Sequence, residues 1–215
     1  IGQFGKILKL IKQNKCKKVI FAGKINKPSF SELKLDVTGI YYIPRIIKAS
    51  KKGDAAILKE LIKILSLEKV SVISSLYFNP ELSLTSGNYC KLKPNKNDLF
   101  DIKKGMKSLN NSNAYDHVQA VVVKNNTVIK ETLKGTKKLI QSIKKKKINN
   151  GILIKFPKIK QDLRADLPTV GFDTFKDCKS AKIKGIVLKS RKNVFLEKKK
   201  CINFANKNNM FVTII

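Results

Sequence analysis

The amino-acid sequence predicts an α/β fold made of two small α/β domains joined by a linker. Short apolar runs alternate with amphipathic stretches of helical period, which is typical of strands connected by crossover helices. This periodicity is absent between residues 85 and 96, where Ser86-Gly87-Asn88 and Lys93-Pro94-Asn95 have turn chemistry. We therefore expect a first domain over residues 1–84, a linker over 85–96 and a second domain over 97–215.

The first predicted domain carries three helical patterns and two short apolar runs. Phe4, Ile7 and Leu8 share the apolar face of the first helix, and Gly53-Asp54 opens another amphipathic helix. Apolar runs of this length that end at Gly or polar residues are typical of buried strands. In chain order the pattern predicts a helix at 2–14, a strand at 19–22, a helix between 28 and 44, a helix from 53 onward and a strand at 70–74.

The second predicted domain combines a hairpin with alternating helices and strands, so its sheet is expected to be mixed. Asn97 is expected to cap a helix that has Leu99 and Ile102 on one face. Two apolar runs flank Lys124-Asn125-Asn126, which predicts a hairpin. In chain order the pattern predicts a helix from 97, strands at 118–123 and 127–132, a helix from 135, a strand at 151–156, a helix at 172–182, a strand at 185–188, a helix at 197–206 and a strand at 210–215.

The chain is strongly basic, and the scarcity of arginine among its basic residues bears on which partners that charge indicates. The 215 residues include 46 Lys plus Arg against 15 Asp plus Glu, a net charge of +31. Only Arg45, Arg164 and Arg191 are arginines, although the flat arginine fork is the usual reader of bases and phosphates. A solvated lysine coat is therefore favoured over a nucleic-acid footprint, and attraction to an anionic membrane fits the coat equally well. No apolar run approaches the ~18 residues that a membrane-spanning helix needs.

The cysteines and the single histidine exclude several kinds of site. Cys16, Cys90, Cys178 and Cys201 form no C-x-x-C pair, and none lies near His117 in the sequence. A structural zinc site is therefore not expected, and widely spaced single cysteines are typical of free thiols in a reducing cytoplasm. A single histidine also weakens every catalytic scheme that is based on histidine.

The densest group of polar residues lies between Lys158 and Thr169. In an extended strand, Asp162, Arg164 and Asp166 would share one face, with the two carboxylates ~13 Å apart. Sharing one metal ion would then require a bend. An Asp–Arg–Asp face suits a phosphate ester with a divalent cation, because Arg binds the anion while Asp holds the cation or a water. A surface salt-bridge ladder explains the same spacing equally well.

Three weaker candidates have simple structural explanations. Thr136 is predicted to cap a helix whose free N–H groups form an anion site, although this chain has lysine at many positions and the flanking lysines therefore carry little weight. Asp54 suits a ribose or a metal ion, but an N-cap role is the stronger interpretation. His117, beside Asp116, is more typical of a structural histidine than of a proton carrier.

Several motifs, taken in order along the chain, indicate a family. They include Gly2-Gln3-Phe4-Gly5-Lys6, Phe21-Ala22-Gly23-Lys24, Gly53-Asp54-Ala55-Ala56, the Asp-His-Val-Gln-Ala-Val-Val-Val run at 116–123, Gly135-Thr136 and Gly185-Ile186-Val187. The most specific is the Gln-Asp-x-Arg-x-Asp-x-Pro-x-x-Gly string at 161–171. With these motifs, essentially the whole chain resembles the UDP-2,3-diacylglucosamine diphosphatases of the LpxI type.

This resemblance implies a fold and an activity. It implies a Rossmann-like, nucleotide-binding-like N-terminal unit and a catalytic C-terminal unit. It also implies hydrolysis of the pyrophosphate of UDP-2,3-diacylglucosamine to UMP and 2,3-diacylglucosamine 1-phosphate (lipid X), in lipid A biosynthesis of Gram-negative bacteria. The expected cofactor is Mg²⁺ or another divalent cation such as Mn²⁺. Family members carry an earlier N-terminal segment, so the chain is expected to be truncated there.

The resemblance also implies site residues. Asp166, Asp162 and Arg164 are expected to be catalytic, with the metal ion on Asp162 and Asp166. Lys134 and Lys137 stand where the family commonly has acidic residues. Substrate and phosphate contacts are expected from Gln161, Lys158, Gly135, Thr136, Gln119, Gly53 and Asp54.

The expected partners follow from the lipid substrate and the lysine coat. We expect a UDP-linked diacyl lipid as substrate and a cytoplasmic protein that associates peripherally with the anionic inner face of the inner membrane. No specific nucleic acid is expected, and homo-oligomerisation is left open. The alternative hypothesis is a non-catalytic basic module that binds nucleotide or RNA. The lysines at 134 and 137 favour it, and the low arginine content counts against it.

Overall fold

The computed structural model describes residues 2–23, 29, 32–111, 118–158 and 161–215. The chain divides into two compact units. The N-terminal unit is Ile1–Phe78 with Asp162–Asp166, and the C-terminal unit is Asn79–Gln161 with Leu167–Ile215. Each unit combines helices with strands, so the predicted α/β class is confirmed.

The N-terminal unit contains a short parallel sheet and helices that cover it. Val19 lies opposite Val72 in the parallel ladder. Its apolar core is formed by buried side chains of the first and third helices and of the second strand, among them Leu8, Ile62 and Leu65. The elements are α1 Phe4–Gln13, β1 Lys18–Ile20, α2 Val37–Ser50, α3 Asp54–Leu67 and β2 Ser71–Ile73.

Helix α2 continues through Pro44, where the sequence predicts an end. Proline removes one helical hydrogen bond, and tertiary contacts around it offset that loss. Arg45 Nε donates to Glu60 Oε1 of α3 at 2.6 Å, and the hydroxyl of the buried Tyr42 donates to Glu68 at 3.3 Å. The packing of α2 against α3 therefore overrides a local stop signal.

The C-terminal unit is built on a six-stranded mixed sheet in the order β3-β10-β8-β6-β4-β5. The three strands β10, β8 and β6 are parallel, and the other pairs are antiparallel, as the sequence predicts for a mixed sheet. A separate parallel ladder joins β7 to β9. The elements are β3 Gly87–Asn88, α4 Lys96–Asn110, β4 Ala120–Lys124, β5 Thr127–Lys130, α5 Gly135–Lys145, β6 Ile152–Lys155, β7 Thr169–Val170, α6 Phe172–Ser180, β8 Gly185–Leu188, β9 Val194–Phe195, α7 Lys198–Lys207 and β10 Phe211–Ile214.

Each face of this sheet packs against its own set of helices. Helix α4 covers one face, where Gly105 allows close approach: a Cβ there would clash with the side chains of Ile154 and Val123. On the other face Leu153 and Ile186 pack with the buried side chains of α5, α6 and α7. Because side chains alternate along a strand, the central strands are buried on both faces.

Two local features of the C-terminal unit differ from the expectation or refine it. The N-cap of α4 is Asn95, not Asn97: Asn95 accepts the N–H of Asp98 and donates its own N–H to the Asp98 carboxylate. The two-residue turn of the β4–β5 hairpin is Asn125-Asn126, both with positive φ. The buried carboxylate of Asp101 accepts both of their N–H groups, at 2.9 and 2.7 Å.

The segment predicted as a linker, residues 85–96, lies within the C-terminal unit. Gly87–Asn88 forms β3 and pairs with Thr213 and Ile214 of β10. Tyr89 continues the pairing through its N–H, which donates to the carbonyl oxygen of Val212 at 3.0 Å. A strand of two residues is too short to show an alternating pattern, so the sequence shows only turn chemistry there.

Candidate functional site

The C-terminal ends of β6, β8 and β10 meet at one edge of the sheet, which we call the carboxyl edge. Antiparallel pairing places the start of β4 and the end of β5 at the same edge. Ligands of α/β folds usually bind at such an edge. The predicted site residues of this unit, Gln119, Gly135, Thr136, Lys158 and Gln161, flank those strand ends.

Glu131, directly after β5, organises part of the carboxyl edge. Its side chain is only 4% exposed. Oε2 accepts the N–H groups of Gln119 and Ala120 at 3.0 and 3.1 Å, and Oε1 accepts the hydroxyl of Thr136 at 2.8 Å. No basic side chain in the described ranges forms an ion pair with it. The motifs do not indicate Glu131; the available signal is an acidic residue at the end of a predicted strand in a chain with few acids.

The hydroxyl of Thr136 does not cap a helix, which corrects the prediction. Helix α5 begins at Gly135, its N-cap position is Lys134, and no side chain caps it. Thr136 lies inside the first turn of α5, past the N-cap position, and its hydroxyl donates to Glu131 instead of accepting a main-chain N–H of the helix end. Gln119, Gly135 and Thr136 are thus brought together around Glu131.

Gln161 and Lys158, which follow β6, are joined by two hydrogen bonds. The main-chain N–H of Gln161 donates to the carbonyl oxygen of Lys158 at 3.1 Å. In the opposite direction, Oε1 of Gln161 accepts the N–H of Lys158 at 2.8 Å. Gln161 is 9% exposed, and its Nε2 has no hydrogen-bond partner among the residues that the structure describes.

Two lysine side chains lie at the carboxyl edge. The ammonium of Lys189, just after β8, lies 5.5 Å from the ring centroid of Phe156, just after β6. The ammonium of Lys155 donates to the carbonyl oxygen of Thr169 at 3.0 Å. These contacts place two ammonium groups at the carboxyl edge.

Residues 162–166, in the N-terminal unit, form a closed turn, so the predicted extended strand is wrong. The N–H of Asp166 donates to the carbonyl oxygen of Asp162 at 3.0 Å. Residues linked in this way lie about 6 Å apart, against ~13 Å in a strand. Two contacts favour the turn: Ala165 packs against the apolar core of this unit, and the Asp162 carboxylate accepts the N–H of Arg164 at 3.1 Å.

Asp162 and Arg164 form a two-pronged ion pair within this turn. Arg164 Nε donates to Oδ1 at 3.0 Å and Nη2 donates to Oδ2 at 2.8 Å. The hydrogen bonds from Arg164 hold the pKa of Asp162 below its ordinary value despite partial burial, with a smaller contribution from the charge of Lys59 on α3. Asp162 is therefore ionised at neutral pH and orients a guanidinium whose side chain is 54% exposed.

The carboxylates of this turn differ in what they offer a metal ion. Both oxygens of Asp162 accept from Arg164. No group of three or more His, Cys, Asp or Glu side chains is placed to hold an ion in the described part of the chain. Mg²⁺, however, is usually held by one or two carboxylates together with substrate phosphates. Because both of its oxygens are engaged, Asp162 suits the positioning of Arg164, and Asp166 is half-buried.

The remaining predicted residues lie at a helix start or outside the described ranges. Helix α3 begins at Asp54, and its N-cap is Gly53 with φ of 102°, so Asp54 is not the N-cap. In the first turn its carboxylate interacts favourably with the helix dipole. Asp116 and His117 lie outside the described residues.

The described thiols are free, as the cysteine spacing predicts. Burial raises the pKa of Cys201 to about 11, and burial also raises the pKa of Cys90 and of Cys178. These three thiols are therefore protonated at neutral pH and unsuited to act as nucleophiles.

Both parts of the chain match models of known domains. The LpxI N-terminal domain matches residues 1–82, and the LpxI C-terminal domain matches residues 85–213. A protein of Caulobacter vibrioides, named UDP-2,3-diacylglucosamine pyrophosphatase LpxI, is 29% identical over 221 aligned residues, which cover 99% of this chain and 79% of that protein. The chain belongs to the LpxI family, as the resemblance of its motifs predicts.

Proposed function

We propose that the chain hydrolyses the pyrophosphate of UDP-2,3-diacylglucosamine, giving UMP and 2,3-diacylglucosamine 1-phosphate, in lipid A synthesis. The observation that carries this proposal is the match of LpxI domains to residues 1–82 and 85–213. The name of the Caulobacter relative supports the same reaction. The turn at 162–166, with its oriented arginine, provides groups suited to phosphate chemistry.

Arg164 is assigned the binding of phosphoryl oxygens. Asp162 engages one edge of the guanidinium, through Nε and Nη2, which leaves the remaining N–H donors for a ligand. Charge-assisted hydrogen bonds to phosphate are among the strongest in proteins, and a prepositioned donor loses little entropy when it binds. Asp162 is therefore a positioning residue for Arg164.

Asp166 is assigned the water or the cation. It ends the turn that Asp162 begins, and its main-chain N–H is fixed by the carbonyl oxygen of Asp162. A carboxylate on a fixed main chain is suited to orient an attacking water. A divalent cation on Asp166 and the substrate phosphates would neutralise negative charge on the pyrophosphate.

We propose that the protein associates peripherally with the anionic, cytoplasmic face of a membrane. A net charge of +31 supports this, since each lysine near an anionic leaflet contributes about 1 kcal/mol. None of the helices in the described ranges has the length and apolar character to cross a membrane. Vesicles with anionic lipid should retain the protein at low salt and release it in ~1 M salt, where the Debye length falls to ~3 Å. Retention after the salt wash would contradict an electrostatic attachment.

The decisive experiment incubates the protein with UDP-2,3-diacylglucosamine and Mg²⁺ and measures UMP. We expect UMP and the lipid 1-phosphate in equal amounts. The matched variants are Asp166→Asn, which should release no UMP, and Asp173→Asn on the exposed side of α6, which should match the wild type. Absence of UMP together with salt-sensitive RNA binding would instead support a basic binding module.

A further inference from the structure

We propose that the outer side of helix α2, in the N-terminal unit, docks on the surface of an anionic lipid bilayer. This inference rests on the proposed peripheral association, to which it assigns a surface and an apolar contact. Its starting point is a row of apolar side chains that face solvent. Val37 is 85%, Ile40 59% and Tyr41 73% exposed, and Pro44 and Ile47 are exposed as well. We call these five residues the α2 stripe.

The α2 stripe follows the geometry of the helix. Its residues recur at intervals of three and four, so they share one face. The opposite face packs inside the unit, where the ring of the buried Tyr42 lies 5.7 Å from that of Phe4 of α1. Helix α2 is therefore apolar on its inner and on its outer side. A helix of this kind is usually covered on both sides, and a contiguous exposed apolar face indicates a partner.

The charges on the helices that carry this surface favour an anionic partner. Helices α1 and α2 contain no acidic residue. Among their basic residues, Lys12 and Arg45 pair with glutamates. Lys6, Lys9 and Lys48 are exposed and form no ion pair with another described residue, and Lys48 lies on the same face of α2 as the stripe. Apolar side chains accompanied by lysines are typical of helices that lie in the headgroup region of an anionic bilayer.

A second copy of this chain is a less suitable partner for the stripe. Pairing would bring together two chains of net charge +31, and α2 has no acidic residue to offset the repulsion. The acid directly before α2, Asp36, already accepts the N–H groups of Gly39 and Lys6. An anionic bilayer supplies opposite charge and an apolar interior together. Tyr41 suits this surface, because tyrosine is enriched at the level of the lipid headgroups.

The apolar contact supplements the attraction of the lysines. Side chains on one face of a single helix reach only the boundary between headgroups and acyl chains. Attachment through so small a surface is marginal by itself, and stable binding takes a second signal, which the basic charge provides. We therefore expect high salt to release the protein, and loss of the stripe to weaken binding at low salt.

An introduced tryptophan reports this contact directly, because the chain contains no tryptophan. Tyr41→Trp places an indole in the stripe, and Leu67→Trp places one at the exposed end of α3 as the control. The vesicles contain phosphatidylcholine with about 30% phosphatidylglycerol, at about 0.1 M salt. On these vesicles the emission of Tyr41→Trp should shift to shorter wavelength and be quenched by lipid with brominated acyl chains. Leu67→Trp should bind equally without either change.

A double substitution measures what the stripe contributes to binding. Ile40→Gln with Tyr41→Gln removes its centre, and we expect the vesicle partition coefficient at about 0.1 M salt to fall at least tenfold. Leu67→Gln with Leu133→Gln makes the same kind of change at two other exposed positions and should stay within about twofold. Circular dichroism verifies folding. Wild-type partitioning of the folded stripe variant would overturn the inference.

The emission also distinguishes the other occupants of the stripe. A shift of Tyr41→Trp that appears without vesicles and grows with protein concentration would assign the stripe to a second copy. A shift without vesicles at every concentration would show that the chain itself covers it. Either result would overturn the inference, and so would an unshifted Tyr41→Trp, or equal shifts of both tryptophans, on vesicle-bound protein.

The docking surface and the proposed reaction fail in different ways. UMP release is measured on substrate dispersed in detergent, where no bilayer is needed. If UMP is released there and Tyr41→Trp stays unshifted on vesicles, the proposed reaction stands and the docking surface is wrong. If no UMP is released and Tyr41→Trp is shifted and quenched, the docking surface stands and the proposed reaction is wrong. A wild type that does not bind the vesicles would overturn both the docking surface and the proposed peripheral association.

Discussion

Thr136 donates its hydroxyl hydrogen to Oε1 of Glu131 at 2.8 Å, which joins the end of β5 to the first turn of α5. The other carboxylate oxygen accepts two N–H groups at the start of β4. One buried carboxylate therefore connects three chain segments at the carboxyl edge. Because the sheet ladder does not satisfy those N–H groups, Glu131 replaces a missing strand partner.

Glu131→Ala should destabilise the protein markedly. The variant leaves the N–H groups of the half-buried Gln119 and the buried Ala120 without their acceptor, and a buried group of this kind costs about 1–3 kcal/mol. We expect the free energy of unfolding, from urea titration, to fall by about 2–4 kcal/mol. Glu81→Ala removes an exposed carboxylate of the same unit and should change it by less than about 0.5 kcal/mol. Equal stability of the two variants would contradict the role of Glu131.

Asp166→Asn should abolish turnover and leave substrate binding largely intact. Asparagine keeps the shape of the side chain and removes the charge needed to polarise water or hold a cation. We expect UMP release to fall at least 1,000-fold, about 4 kcal/mol in the barrier, with the dissociation constant for substrate within about fivefold. Equilibrium dialysis with the inactive variant measures binding. Near-normal turnover in a folded variant would refute the assignment, and a variant that does not fold would make Asp166 a structural residue.

Arg164→Lys should weaken substrate binding and turnover together. A lysine cannot reproduce the two hydrogen bonds to Asp162, so its ammonium is neither oriented nor able to bind phosphate with two donors. We expect kcat/KM to fall about 100-fold, with contributions from both kcat and KM. Lys63→Arg, an exchange of the same two residue types on α3, serves as the control. An effect on KM alone would make Arg164 a binding group only.

The Asp162–Arg164 pair should contribute stability that disappears in acid. The folded-state pKa of Asp162 is lowered, so its contribution is present above the unfolded value of about 3.9 and is lost as the pH falls through the lower folded value. Wild type and Asp162→Asn should therefore differ in urea midpoint at pH 7, and the difference should begin to shrink only below about pH 4 and vanish below the folded pKa of Asp162. A difference that is independent of pH would show that the charge of Asp162 does not stabilise the turn.

Activity should require a divalent cation. The carboxylates of the turn offer oxygen ligands, and the described chain shows no cluster of three His, Cys, Asp or Glu side chains. We therefore expect the cation to depend on the substrate phosphates for part of its coordination. We expect EDTA to reduce UMP release to background and Mg²⁺ or Mn²⁺ to restore it. Full activity after exhaustive chelation would exclude this requirement.

Most of the helices and strands are predictable because burial of one side of an element places apolar residues at regular intervals along the sequence. The face of α5 with Leu139, Ile140 and Ile143 shows its helical period directly, and the run that forms β6 is apolar because both of its faces are buried. The two residues of β3 are too few to show any period, and only pairing with β10 defines them as a strand.

The local geometry of the candidate site is not predictable from the spacing of its residues. Asp162, Arg164 and Asp166 alternate as a strand does, yet hydrogen bonds from Arg164 to the carboxylate before it close a turn. The alternation of charged and apolar residues shows which side chains face solvent, but it does not show hydrogen bonds between neighbouring residues. Glu131 was not indicated because its partners are main-chain groups, which every sequence has.

The assignment of residues 162–166 to the N-terminal unit has a consequence for synthesis on the ribosome. That unit is discontinuous in the chain, since Ala165 packs into an apolar core whose other members lie before residue 79. The nascent N-terminal unit therefore remains incomplete until the turn has left the exit tunnel, by which time most of the C-terminal unit has been translated. Its last stage of folding is coupled to the growth of its neighbour, and a fragment that ends at residue 78 would lack that stage.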